Sequence, residues 1–174
     1  MLLIDDSGWG SLLGGVMIGM YNTDTNKFMS KLIPVSYFQG STFQKAKYRD
    51  YATKIFLESW VRLGDTDHIQ ICRGTILDGI YNLFIHDKKV RQIERLEIGE
   101  PLQSWLESKF ASSLIRIGVP LNTSGAHCLS FDDQLKWIKA NPKKRVKYVK
   151  TGWNSWRNKY ANAILKGQNG KTKN

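Results

Sequence analysis

Three apolar residues, Leu2-Leu3-Ile4, followed at once by Asp5-Asp6-Ser7-Gly8, have the form of a short buried strand with an acidic end. Gly8-Trp9-Gly10-Ser11 turns the chain, and Gly15 to Tyr21 reads as a second strand carrying Val16, Met17, Ile18 and Met20. Beyond the polar turn at Asn22 to Asn26, a third strand is expected from Phe28 to Phe38. Pro34 marks an edge position or a bulge in it. A long helix follows from Thr42, its N-cap, to Leu63. Phe43, Ala46, Tyr51, Ile55, Trp60 and Leu63 fall on one stripe, and Gly64 ends it. His68 to Cys72 is a short strand parallel to the first. Thr75 to His86 forms a second helix and Val90 to Ile98 a fifth strand. Pro101 opens a third helix that Gly118 and Pro120 close. Phe131 to Ala140 begins a fourth, with Asp132 and Asp133 in its first turn.

Three antiparallel strands, then helices alternating with parallel strands, is an α/β order with a mixed sheet flanked by helices. With 174 residues, 41% of them apolar, the chain can bury a proper core. Its charge is uneven. Of 26 Lys and Arg residues, 12 lie within 131–174, and no Asp or Glu occurs from Gln134 onward. The expected organisation is a domain over 1–140 and a basic, aromatic-containing C-terminal extension over 141–174.

In that extension charged and apolar residues alternate after Arg145, as in a strand with one basic face. Lys143, Lys144, Arg145, Lys147, Lys150 and Arg157 suit phosphates, and Trp153 and Trp156 suit stacking on unpaired bases. The competing reading has the tryptophans packed back on the core. The partner expected is DNA or RNA rather than a membrane, because the aromatics form no clean amphipathic face and no apolar run reaches a bilayer span. Two cysteines give no disulfide framework, and the start lacks the pattern of a secretory leader, so an intracellular, cytoplasmic protein is expected. The oligomeric state is left open, a homodimer included. His68, Cys72, His86, His127 and Cys128 lack zinc-site spacing. The Gly8 to Gly15 stretch lacks the Gly-Lys-Ser/Thr ending and the following helix of a phosphate loop.

Ile4-Asp5-Asp6-Ser7-Gly8 and the later Gly14-Gly15-Val16-Met17-Ile18-Gly19, in this order of elements, resemble the ribonuclease H-like superfamily of nucleases, Holliday-junction resolvases and transposases. The resemblance implies a ribonuclease H-like sheet with Asp5 as a catalytic, metal-binding acid and Asp6 as its neighbour. It implies a further acid near the end of strand four. Cys72-Arg73-Gly74 stands there instead, and Asp78 is the nearest carboxylate. It implies another at the head of the last helix, where Asp132-Asp133 stand; Asp50 and Glu58 on the long helix are further candidates. The activity implied is phosphodiester cleavage with Mg²⁺ or Mn²⁺. Asp5, Asp78 and Asp132 would be ligands, and Asp133 an added ligand or water-orienting group. Each acid also has a local explanation. Asp5-Asp6 can seed a turn, Asp78 can form a capping box with Thr75, and Asp132 and Asp133 suit a helix dipole. Two other classes stand beside the enzyme: a non-catalytic nucleic-acid-binding module, and an adaptor whose tail docks on an acidic protein.

Overall fold

Alternation along the first strand decides how the chain layers. In a computed structural model, which describes residues 1–64, 66–85, 90–120 and 129–165, five strands form one mixed sheet in the order β3-β2-β1-β4-β5. β1 (Leu2–Ser7) is central. It runs antiparallel to β2 (Val16–Asn22), with Asp5 opposite Gly19, and parallel to β4 (His68–Ile71), with Ile4 beside Ile71. β3 (Lys27–Ile33) extends the antiparallel side and β5 (Gln92–Arg95) the parallel side.

Because side chains alternate across a strand, Leu2 and Ile4 enter one core and Leu3 the other. The first core is closed by α2 (Lys47–Leu63) and α3 (Asp78–Phe84), through Ala52, Ile55, Phe56, Ile80 and Phe84. The second is closed by α4 (Leu102–Arg116) and α5 (Phe131–Ala140), through Leu106, Phe110, Leu114, Leu135 and Ile138. The Gln134 side chain ties α5 to the β1–β2 loop, accepting from the Leu12 amide at 2.8 Å and donating to Leu129 O at 2.9 Å. No helix among the described residues is long and apolar enough to cross a membrane.

Several expected elements are shorter or broken. β3 stops at Ile33 because Pro34 has no N–H for the ladder, and Val35–Phe38 form a 3-10 turn that buries Phe38. The long helix from Thr42 is two pieces, α1 (Gly40–Gln44) and α2, separated by Ala46 in the left-handed region at φ 50°. Thr75–Leu77 is a 3-10 turn leading into α3, and the fifth strand is the short β5. His86, His127, Cys128 and residues 166–174 lie outside the described residues.

The largest correction concerns the C-terminal segment. Over 141–165 it is neither a strand nor an extension but part of the body. α6 (Pro142–Arg145) leads into a 3-10 turn at Val146–Tyr148, then a π turn at Trp156–Tyr160 and α7 (Ala161–Leu165). Val149 bridges to Leu13, and Val149, Trp156 and Ile164 are buried in the second core. Apolar burial rather than charge therefore fixes the path of this segment.

Candidate metal centre

β1 and β4 run parallel side by side and their chains leave in different directions, β1 to β2 and β4 to α3. Their carboxyl ends thus flank the switch point of the sheet, where α/β proteins characteristically bind ligands. Asp5, Asp6 and Cys72 stand there. Successive strand residues point to opposite faces, yet the Asp5 carboxylate folds back and accepts the Asp6 amide at 2.8 Å. Two carboxylates and a thiol consequently offer ligand atoms within 4.8 Å of one another. Gly74 makes room for this arrangement, since a Cβ there would lie 2.6 Å from Asp6 Oδ1.

Asp5 is buried, and burial pushes its pKa up; the Cys72 thiol and the Asp6 amide, both donating to it, work in the opposite direction. Glu107 of α4 and Glu97, just beyond β5, raise it further by charge. Sequence patterning did not single out these two acids, which come from distant segments. Burial and the Asp5 charge carry Asp6 up to about 7, and burial with the Asp5 hydrogen bond carries the Cys72 thiol up to about 11. Two crowded acids reluctant to ionise together, at a sheet switch point, make a place where a cation replaces protons. The pair is fit to hold one hard divalent ion through carboxylate oxygens. The protonated thiol is a soft group and a poor ligand for such an ion.

Lys150 is fully buried beside this pair. Its ammonium donates to the carbonyls of Gly8 and, at 3.4 Å, Trp9, in the loop that follows β1. Burial lowers its pKa to about 7 against the pull of Asp6.

The other sequence-predicted acids do not join the group. Asp78 is held by Arg95 at 2.7 Å and Arg49 at 3.5 Å, while Arg95 also donates to the carbonyls of Cys72 and Gly74. It is a structural ion pair, and Thr75 makes no capping bond with it. Ser130 caps α5 through the Asp133 amide and donates back to the Asp133 carboxylate at 2.7 Å; Asp133 also pairs with Lys136 at 2.9 Å. Asp132 is exposed. Asp50 and Glu58 pair with lysines on the surface of α2. The local explanation holds for Asp133, Asp78 is held by arginines rather than by a capping box, and the ligand set Asp5, Asp78 and Asp132 is not assembled among the described residues.

The basic residues divide as well. Lys143, Lys144, Lys147 and Arg157 are exposed. Arg145 lies 4.4 Å over the Trp137 ring and donates to the Trp137 carbonyl, which makes it a packing residue. Trp156 is 3% exposed and Lys150 fully buried, so neither presents a surface to a partner. Trp153 is half-buried at the wall of a groove. No family model, curated protein or solved structure matches the chain.

Proposed function

We propose that the protein is a divalent-metal-dependent phosphodiester-cleaving enzyme of ribonuclease H-like architecture, acting on DNA or RNA. The observation that carries this is the Asp5–Asp6 pair at the carboxyl end of the central strand, at the switch point of a β3-β2-β1-β4-β5 sheet. A mixed sheet of three antiparallel and then parallel strands, with an acidic end on its central strand, supports this reading.

Asp5 and Asp6 would hold Mg²⁺ or Mn²⁺, with Glu107 and Glu97 as nearby acids that strengthen the local negative field. Such an ion supplies charge neutralisation at the phosphate and a water acidic enough to attack it. Asp5 is positioned by the Asp6 amide and by Cys72, both of which donate to its carboxylate. Asp6 is backed by Lys150, which supplies a counter-charge once the carboxyl ionises. Exposed Lys143, Lys144 and Lys147 supply sequence-independent attraction for a phosphate backbone.

A second reading, a nucleic-acid-binding module without catalysis, is favoured by the diversion of Asp78 and Asp133 into ion pairs and capping. Calorimetric titration with MnCl₂, paired with cleavage assays on labelled DNA and RNA, separates the two. The enzyme reading expects Mn²⁺ binding that D5N loses, and cleavage that EDTA and D5N both abolish while nucleic-acid affinity persists. Cleavage by D5N at the wild-type rate refutes it.

A further inference from the structure

Gly152 lets the C-terminal segment approach the 38–43 region closely. Its amide donates to Phe38 O at 3.0 Å, and a Cβ there would meet the Phe43 Cβ at 2.5 Å. Beside this contact runs an open groove of about 610 Å³. One wall is Phe43, Tyr48 and Arg49, from α1 and the first turn of α2; the other is Trp153, Asn154 and Arg157. The volume falls in the range of small-ligand sites, roughly 300–1,000 Å³.

Its chemistry is one-sided. Two guanidinium groups and three aromatic rings line it, and among the described residues no Asp or Glu does. Arg49 is committed only in part. One guanidinium nitrogen lies 3.5 Å from Asp78, and its buried Nε has no hydrogen-bond partner among the described residues. Arg157 is exposed, bonded to Asn154 Oδ1 at 2.5 Å. The rings are braced from behind. Trp9 packs against Phe43 and Tyr48 with centroids 6.4 and 5.4 Å away, and the Lys150 ammonium lies 5.2 Å from the Trp153 ring centroid. Lys150 is also the neighbour of Asp6, so a single side chain joins the groove wall to the acid pair.

We infer that this groove seats an unpaired base of a nucleic-acid strand, stacked on Trp153, with the adjoining phosphate met by Arg157 and Arg49. Aromatic faces flanked by arginines suit a base and its phosphate, whereas a duplex offers no free base face to a groove of this size. The inference rests on the phosphodiester reading for its choice of polymer, and it gives that reading a substrate class: single-stranded or locally unpaired nucleic acid.

The test is fluorescence anisotropy of the full chain with a fluorescein-labelled ten-residue oligothymidylate, in EDTA so that no metal-dependent step contributes. W153A should weaken binding roughly 5- to 100-fold, the loss of one stacked base. W153F should restore most of the affinity. R157E, at an exposed position that leaves the core intact, should weaken it at least about tenfold. Affinity for a blunt hairpin duplex should change less than about threefold in W153A. Wild-type affinity in both W153A and R157E overturns the inference, as does an equal loss for duplex and single strand. Displacement of the oligonucleotide by polyglutamate as effectively as by unlabelled oligothymidylate also overturns it, since the groove would then serve an acidic protein. Groove-dependent binding in a protein that shows no Mn²⁺-dependent cleavage supports the groove and refutes the enzyme reading alone.

Discussion

Replacing Asp6 with asparagine removes a carboxyl that burial and the Asp5 charge push from an ordinary 3.8 up to about 7. Below about pH 4 the folded and unfolded chains both carry the proton, and the group adds nothing to the pH dependence. Between about pH 4 and 7 the folded protein keeps a proton that the unfolded chain has lost, so stability falls as the pH rises. Above 7 both are ionised and the cost stays in full. Each tenfold in a proton equilibrium is about 1.4 kcal/mol, so the rise to about 7 corresponds to about 4 kcal/mol. D6N recovers somewhat less, because Lys150 loses the counter-charge that favours its protonated form. Lys150 acts in the opposite sense. Its pKa is depressed from 10.5 to about 7, so the unfolded chain binds the extra proton between those values and stability rises with pH across that window. The wild type is thus expected to be least stable near neutrality, and D6N to lose the part of the falling limb that Asp6 contributes, while the raised Asp5 keeps its own. Urea unfolding followed by tryptophan fluorescence in EDTA, at about pH 5, 7 and 9, measures this. D6N should exceed the wild type by an amount that grows between about pH 5 and 7 by on the order of 2–3 kcal/mol. A difference that stays constant over that interval, or a D6N less stable than the wild type at about pH 8, refutes the assignment of a buried, proton-holding Asp6.

Three further outcomes follow from the placement of the remaining residues. D78N leaves Arg95 and Arg49 facing each other without their shared acid, and should destabilise the fold by about 1–3 kcal/mol in denaturant titration while leaving cleavage intact below its melting temperature. D133N, which touches only a cap and a surface lysine, should do less to stability and nothing to cleavage. Ending the chain after Asn141 strips Val149, Trp156 and Ile164 from the second core. At about 1.5–3 kcal/mol for each buried large apolar side chain, the loss approaches the whole stability of a domain, about 5–15 kcal/mol. The truncated chain should therefore lack a cooperative thermal transition by circular dichroism, and a sharp transition would return the segment to the status of a tail.

The sequence makes β1 legible because three apolar residues stop abruptly at two acids, a pattern that survives whatever packs around it. The parallel β4 and the helices α4 and α5 are legible for similar local reasons, α5 down to its Ser130 cap. The break at Ala46 is not, since alanine favours helices and nothing local demands a left-handed residue. There the packing of Phe43 and Tyr48 around Trp9 outweighs local propensity. The tail misleads for a different reason. Its density of lysine and arginine masks a sparse apolar set, Val149, Trp156 and Ile164, whose spacing would suit one helical face, whereas the segment folds as a succession of short turns rather than one helix. Asp78 was plausible by proximity to the end of β4, but Arg95 reaches it from β5, a contact that depends on the parallel register. Glu97 and Glu107 escape notice because only the fold brings β5's end and α4 around Asp5.

Lys150 shows why composition and position must be read separately. In sequence it is one cation among a dozen near the C-terminus; among the described residues of the fold it is the one whose charge is removed from water. A buried lysine is costly unless its donors and its charge find partners. Here the carbonyls of Gly8 and Trp9 take the donors and Asp6 faces the charge. Those carbonyls belong to the loop immediately after the acid pair, so the lysine fixes the path of the chain just where Asp5 and Asp6 need a rigid exit from β1. The same residue's backbone amide donates to Leu12 O at 2.9 Å, and Gly14 N donates to Tyr148 O at 2.8 Å, so both ends of the β1–β2 loop are bound to the C-terminal segment. A segment that looked like a solvent-facing polyanion binder thus first completes the acid pair's surroundings. Among the described residues, Lys143, Lys144, Lys147, Arg157 and Lys159 of this segment are exposed, and Arg157 stands beside the groove that Lys150 supports from beneath.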